Sequence, residues 1–133
     1  MLGAYGFLSQ VFRDLEKNRL SVDVLASSEV SVSLTFDKAQ KDENIEKAVS
    51  KLSEYAIVKV KDDRAILTLI TDVERSSEVL ATAFRVFSMF NIKVEMMSQG
   101  ASKVNISFVV KNEQIDEAIT NLHKCFFEDQ CAV

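Results

Sequence analysis

Apolar residues follow two different spacings along the chain. In four stretches they recur every third or fourth position, which is typical of helices that bury one face. In most of six further stretches they alternate with polar residues, and these stretches include many β-branched side chains, which favours strands. The predicted helices lie around residues 7–15, 44–53, 79–87 and 115–122, and the predicted strands around 22–26, 30–34, 56–61, 65–70, 92–96 and 104–108.

The same series of elements occurs twice. Four segments of the first half have counterparts about 70 residues later, in the same order. Four matches at nearly constant spacing indicate an internal repeat. The matched segments are 12–13 with 84–85, 20–24 with 92–96, 30–34 with 104–108, and 45–52 with 115–122.

Each repeat has the element order of a split βαβ unit, strand–helix–strand–strand–helix–strand. We therefore predict an α+β chain of two ferredoxin-like βαββαβ units in tandem, residues 1–62 and 63–133. Their antiparallel sheets would carry helices on one face and pair between units or chains. The opening strand of the first unit would precede residue 1, and no strand pattern follows Phe127. The chain is thus expected to be a fragment of a longer protein, or to receive the missing pairing from a partner.

Charge and hydropathy argue against two classes of partner. The chain has 16 basic and 20 acidic residues, a net charge of −4, and its basic residues are scattered. No nucleic-acid surface is predicted, because phosphate binding needs clustered Lys and Arg. RNA-binding modules of this fold stack bases on strand aromatics, whereas these strands carry mainly aliphatic residues and serine. No apolar stretch approaches the roughly 20 residues that span a bilayer, so no membrane contact is predicted.

We find no catalytic or metal-binding motif in the sequence. Cys125 and Cys131 are too widely spaced for a redox motif and are predicted to be reduced thiols. His123 has no acid or serine partner at motif spacing. Glycine-rich phosphate loops and nucleophile motifs are also lacking. No catalytic residue, metal or cofactor is therefore expected.

The first repeat nevertheless carries groups that a free amino acid requires. Gly6-Phe7-Leu8 opens a predicted helix, where unpaired backbone N–H groups and the helix dipole favour a carboxylate. Asp23 begins the facing strand and Ser28-Glu29 lies on the hairpin, so their oxygens can accept hydrogen bonds from an ammonium group. A solvated charge at Asp23 and a turn role at Glu29 are the alternatives.

The residues of this region resemble a known family. The first repeat is similar to the first ACT domain of aspartate kinases, and residues 91–106 are similar to the matching part of their second ACT domain. The segments that carry the resemblance are Met1-Leu2, Tyr5-Gly6-Phe7-Leu8, Val11-Phe12, Ser21-Val22-Asp23-Val24, Ser27-Ser28-Glu29-Val30-Ser31 and Asn91-Ile92-Lys93-Val94-Glu95.

The resemblance implies a C-terminal regulatory region that binds an end-product amino acid and restrains a kinase domain of the parent chain. That kinase would phosphorylate the aspartate β-carboxylate with ATP. The implied effector is lysine, with threonine as the second candidate, and the implied assembly is a homodimer through ACT units. The implied location is cytoplasmic, or plastid in a plant. The implied effector-binding residues are Met1, Gly6, Phe7, Leu8, Ser21, Val22, Asp23, Ser28 and Glu29.

The second repeat differs from the first at two positions of the predicted amino-acid site. Glu95 stands where the first repeat has Asp23, and Glu78 stands where it has Gly6. A structural or dimer-forming role is therefore predicted for the second unit. Two alternatives for the whole chain stay open, namely a free-standing amino-acid sensor and a dimerisation module without a ligand.

Overall fold

A computed structural model describes residues 5–28, 31–37, 39–71, 73–100 and 105–128, without the side chain of Val73. Contacts within the chain divide it into two compact units, residues 1–60 and 61–133. Both units combine helices with antiparallel strands. The predicted α+β fold class is therefore confirmed.

The first unit packs two helices against a two-stranded sheet. Helix α1 (Phe7–Lys17) and helix α2 (Asp42–Leu52) accompany strands β1 (Val22–Ser27) and β2 (Val32–Phe36). The apolar stripes of both helices meet the sheet in one buried cluster, as their helical spacing requires. The buried members of that cluster are Val11, Leu15, Leu20 and Ala48.

Strand β1 is bulged near its start. Val22 opposes Phe36 and Leu25 opposes Leu34, so that Asp23 and Val24 together face Thr35. The Thr35 hydroxyl accepts a hydrogen bond from the Val24 N–H at 2.9 Å and lies 3.5 Å from the Val24 carbonyl oxygen, to which it donates. This side chain thus satisfies backbone groups that the bulge removes from the ladder. The bulge interrupts the regular alternation that was predicted for residues 22–26.

The second unit has a three-stranded antiparallel sheet. Its elements are β3 (Arg64–Ile70), α3 (Ser76–Met89), β4 (Met96–Gln99), β5 (Asn105–Lys111) and α4 (Ile115–Phe127), with 3₁₀ turns at Val73–Arg75 and Asn112–Gln114. The strand order is β3-β5-β4. Phe87 and Phe108 meet edge to face in the core, with ring centroids 5.1 Å apart.

The repeat is visible in the way the first helix of each unit ends. Arg19 and Asn91, which are 72 residues apart, both have positive φ angles, of 56° and 51°. The next residue then donates its N–H to a carbonyl five residues earlier, from Leu20 to Leu15 at 3.0 Å and from Ile92 to Phe87 at 2.8 Å. Both helices therefore end in the same Schellman-type turn.

Some predicted elements differ from the structure. Residues 57–62 form no strand, although a strand was predicted at 56–61, and Ile57 is 94% exposed. Alternation alone does not make a strand, because a strand also needs a ladder partner. Strand β4 begins at Met96, so the strand predicted at 92–96 was placed too early. Strand β2 begins at Val32, and the predicted strand residue Val30 lies outside the described residues.

The cysteine prediction was also wrong. Cys125, near the end of α4, is bonded in a disulfide rather than present as a free thiol. The only other cysteine of the sequence, Cys131, lies outside the described residues. Spacing along the chain excluded a redox motif, but it did not exclude a bridge.

Candidate amino-acid effector site

The start of helix α1 presents backbone donors. Gly6 is the N-terminal cap and has a φ of 81°, in the left-handed region that glycine tolerates best. The first intrahelical bond runs from the Gln10 N–H to the Gly6 carbonyl at 2.9 Å. The N–H groups of residues 7–9 thus have no acceptor within the helix. Among the described residues, no side chain caps this helix and its first turn carries no acid, so an anion meets no competing charge there.

Phe7 is held from one side by a tyrosine. Its ring meets that of Tyr55 edge to face, with centroids 6.2 Å apart and planes at 82°. The Tyr55 hydroxyl donates to Oδ2 of Asp14 at 2.8 Å. Burial and this hydrogen bond together raise the pKa of Tyr55 to about 12. Asp14 is only 4% exposed and is the one buried charged residue of the described chain.

Sequence reasoning missed this contact. Asp14 stands on the apolar face of α1, between Val11 and Leu15, which are both buried. An acid in an apolar helical stripe was the available signal, because a buried carboxylate needs a donor. The identity of that donor was not available, since Tyr55 lies 41 residues away.

Asp23 is exposed on the bulged part of β1. Among the described residues no hydrogen bond or ion pair engages its carboxylate, so the charge is available to a ligand. Val22, directly before it, packs instead against the core, in the same cluster as Phe7. The structure therefore brings Phe7 and Val22 to one cluster and leaves the neighbouring Asp23 facing solvent.

Of the remaining predicted site residues, some are exposed and others lie outside the described residues. Ser28 is exposed, and its N–H donates to the Ser31 carbonyl at 2.8 Å while the two hydroxyls lie 2.8 Å apart. This is the local turn role that serine commonly takes. Leu8 and Ser21 are exposed. Met1 and Glu29 lie outside the described residues.

The described part of the first unit has a groove elsewhere. It measures about 500 Å³ and lies where the end of α1 meets the start of α2. None of the predicted effector-binding residues lines it. The residues that do are Lys17, Asn18, Arg19, Ala39, Gln40, Lys41, Glu43, Asn44 and Lys47.

In the second unit the counterpart of Asp23 is already engaged. Glu95 accepts two hydrogen bonds from Arg64, at 3.0 and 3.1 Å, and one from Lys61 at 2.8 Å. Its side chain is only 10% exposed. The hydrogen bonds from Arg64 and then Lys61 lower the pKa of Glu95 to about 2. A cation from outside would therefore have to displace two cations of the chain itself.

The helix start differs in the second unit as well. Glu78, the counterpart of Gly6, lies inside the first turn of α3 and pairs with Arg75 at 2.9 Å. Helix α3 begins at Ser76, three residues earlier than the repeat would place it. A carboxylate approaching this helix start would meet a negative charge.

The described residues show neither a membrane-spanning helix nor a cluster of metal ligands. Within the described ranges, no helix is both long enough and apolar enough to cross a membrane. Over the same residues, no three His, Cys, Asp or Glu side chains gather as metal ligands would.

This chain is similar to one protein family and to several known proteins. A family model described as ACT domain matches residues 71–126. Chloroplastic aspartokinase 2 of Arabidopsis thaliana is 44% identical over 136 residues, which cover 96% of this chain and 25% of that protein. Aspartokinase III of Escherichia coli, solved with lysine and aspartate in the T-state, is 30% identical with a TM-score of 0.78. That likeness covers 96% of this chain and 29% of the other.

One further solved structure is similar to this chain over most of the length of both chains. It is a structure described as a C-terminal regulatory domain of aspartate kinase from Porphyromonas gingivalis W83. It is 30% identical with a TM-score of 0.78, over 92% of this chain and 81% of that one. Together with the repeated α+β units, these likenesses define an ACT-type regulatory region.

The chain belongs to the family of C-terminal regulatory regions of aspartate kinases. It spans about a quarter of the length of the curated Arabidopsis relative. The family predicted from the residues is thereby confirmed.

Proposed function

We propose that this chain binds an end-product amino acid, lysine in preference to threonine, and transmits that binding as feedback inhibition to the kinase domain of a longer parent chain. One observation carries the proposal. The likeness to E. coli aspartokinase III solved with lysine and aspartate extends over 96% of the chain. The exposed helix start and the unengaged Asp23 of the first unit support it independently.

The first unit offers complementary groups to the two ends of lysine. The N–H groups of residues 7–9 would bind the α-carboxylate, aided by the positive end of α1. Asp23 would take an ammonium group, and Glu29, Ser28, Ser21, Val22, Leu8 and Met1 would complete the site. Lysine has two ammonium groups whereas threonine has one, so a site with two acids favours lysine.

Inhibition would then follow from a shift in population. The effector must bind one arrangement of the parent protein more tightly than another, because only a difference in affinity can move that equilibrium. The arrangement that binds lysine better would be the one in which the kinase is less active. A plastid location is supported by the name of the chloroplastic relative, if the source is a plant.

Dimerisation is the second proposed role, and a specific observation favours it. Phe12 on α1 and Phe84 on α3 occupy equivalent positions of the repeat, and both are exposed. Exposed aromatic side chains on matching helices suit an interface between ACT units of two chains. If the chain were only a dimerisation module, it would form dimers and bind no amino acid.

Calorimetric titration with lysine, threonine and methionine tests the proposal. Saturable heat with lysine is expected, with weaker or no heat from the other two. Asp23→Asn should weaken lysine binding, whereas Glu46→Gln, which removes one exposed acid from α2 of the same unit, should not. Undiminished binding by Asp23→Asn would remove Asp23 from the site. A folded chain that binds none of the three would leave the dimerisation role.

A further inference from the structure

We propose that Tyr55 is a positioning residue for the effector-binding turn Gly6-Phe7-Leu8, with its ring bracing Phe7 and its hydroxyl anchored on Asp14. The inference rests on the proposed function, since it assigns a support to the same site. Tyr55 itself would not touch the effector. It would act by fixing the direction of the backbone donors at the start of α1.

Of the three residues of this turn, only Phe7 packs in the buried cluster of the unit, so the turn depends on how that ring is held. Gly6 has no side chain, and a Cβ placed there would meet nothing within 4 Å. Among the described residues, no side-chain cap binds the start of α1. Phe7 is the first helical residue, and its ring against Tyr55 is the aromatic contact of this turn. The edge-to-face geometry resists tilting, because the ring edge must stay over the face of its partner.

Tyr55 is in turn fixed by a directional bond. Its hydroxyl donates to a carboxylate that is almost completely buried, at 2.8 Å. An apolar residue at position 14 would fill the core without the cost of desolvating a carboxylate. What an apolar residue could not do is hold the phenol at one angle. The Asp14–Tyr55 pair is thus better explained by orientation than by stability.

The contact also joins distant parts of the sequence. Asp14 lies in the middle of α1, Phe7 at its start, and Tyr55 three residues beyond the end of α2. The three side chains therefore tie the first turn of α1 to the end of α2. Removing the Tyr55 ring should loosen the first turn of α1, whereas removing only its hydroxyl should free the ring from Asp14.

Three variants of the full chain separate these effects, namely Tyr55→Leu, Tyr55→Phe and Phe7→Leu. Amide hydrogen exchange at Gln10 and Val11, the first hydrogen-bonded amides of α1, reports on the turn without any effector. Tyr55→Leu should accelerate exchange there more than at Leu15, later in the same helix. Tyr55→Phe should have a smaller effect, because its ring remains.

Lysine titration adds the functional readout. Tyr55→Leu should raise the Kd by about 2- to 10-fold, the range that an aromatic pair contributes. Phe7→Leu also changes the packing of Phe7 in the buried cluster, so it should raise the Kd at least as much. The double variant should be little worse than Phe7→Leu alone, because both variants remove the shared contact. This non-additivity distinguishes positioning from general loss of packing.

The outcomes separate this inference from the proposed function. Uniform acceleration of exchange along α1, or none at Gln10, would overturn the positioning role whatever lysine does. Additive effects of Phe7→Leu and Tyr55→Leu would also overturn it. Localised acceleration at Gln10 in a chain that binds no amino acid would support the brace and overturn the effector site.

Discussion

Gly6 is the residue on which the start of α1 depends. Its φ of 81° is costly for any residue with a Cβ. Since an added Cβ would meet open space, the cost of a substitution is conformational and not steric. Gly6→Ala should therefore lower the free energy of unfolding by about 1 kcal/mol. It should also weaken lysine binding, because the adjacent donors would turn.

Chemical denaturation of Gly6→Ala beside the wild type measures the first effect. A suitable control is Ala39→Gly, since residue 39 is an exposed loop position of the same unit. An unchanged unfolding midpoint for Gly6→Ala would show that the turn relaxes to a negative φ. Gly6 would then not keep its φ of 81° in solution.

Glu95 gives the second unit a response to acid. Its pKa is lowered to about 2 by Arg64 and Lys61, so the folded state favours the ionised carboxylate. The stabilisation is present above the ordinary pKa of 4.5 and is lost as the pH falls through about 2. Glu95→Gln should thus be less stable than the wild type at pH 7, and this difference should shrink between pH 4.5 and pH 2.

Thermal unfolding at a series of pH values measures that difference. Glu113→Gln is the control, because Glu113 pairs with Lys111 at an exposed position and exposed pairs contribute little. A difference for Glu95→Gln that stays constant down to pH 2 would mean that the Arg64 and Lys61 contacts do not govern its ionisation.

At the level of elements, the bulge in β1 depends on one side chain of β2. The Thr35 hydroxyl accepts a hydrogen bond from the Val24 N–H and donates one to the Val24 carbonyl oxygen, because the bulge leaves these two backbone groups without a ladder partner. Thr35→Val keeps the shape and removes the hydroxyl. It should cost about 1–3 kcal/mol, because part-buried backbone groups lose their partner. Asp23, within the bulge, should bind an ammonium group less well as a result.

Denaturant unfolding with lysine titration tests both statements. Thr68→Val offers the matched control, because Thr68 is exposed on β3 and its side chain bonds only the Ser107 hydroxyl, at 3.0 Å, among the described residues. Equal losses of stability in the two variants would contradict a special role for Thr35.

Elements were predictable where one periodicity sufficed. The spacing of Val11 and Leu15 in α1 and of Ala118 and Leu122 in α4 identified both helices, because each pattern is local. The bulge was not predictable, since register is decided across two strands. The segment 56–61 was wrongly predicted to be a strand, because its alternation says nothing about a pairing partner. Gly6 and Asp23 were predicted as site residues from the local sequence and the family resemblance. The Asp14–Tyr55 contact was not predictable in this way, because it joins residues 41 apart.

Over the whole molecule, the two repeats share a fold but differ in how their equivalent acids are engaged. The first leaves its acid, Asp23, unengaged among the described residues, while the second holds Glu95 with Arg64 and Lys61. One lysine per chain is therefore expected, bound in the first unit. Calorimetry should give a stoichiometry near one. Glu95→Gln should leave this stoichiometry unchanged, whereas Asp23→Asn should weaken or abolish lysine binding. Two equivalent sites per chain would contradict the division of roles between the units.

Residues 57–62 have a practical consequence for anyone who purifies this chain. Ile57 and Val60 expose large apolar side chains on backbone that pairs with no described strand. Unpaired backbone with exposed apolar side chains offers other molecules an edge to pair with, which the single charge of residues 57–60, Lys59, opposes only in part. Concentrated stocks should therefore cloud with time, and Ile57→Lys should lengthen their shelf life. Light scattering of stored samples would show it, and equal clouding of both proteins would direct attention to another surface.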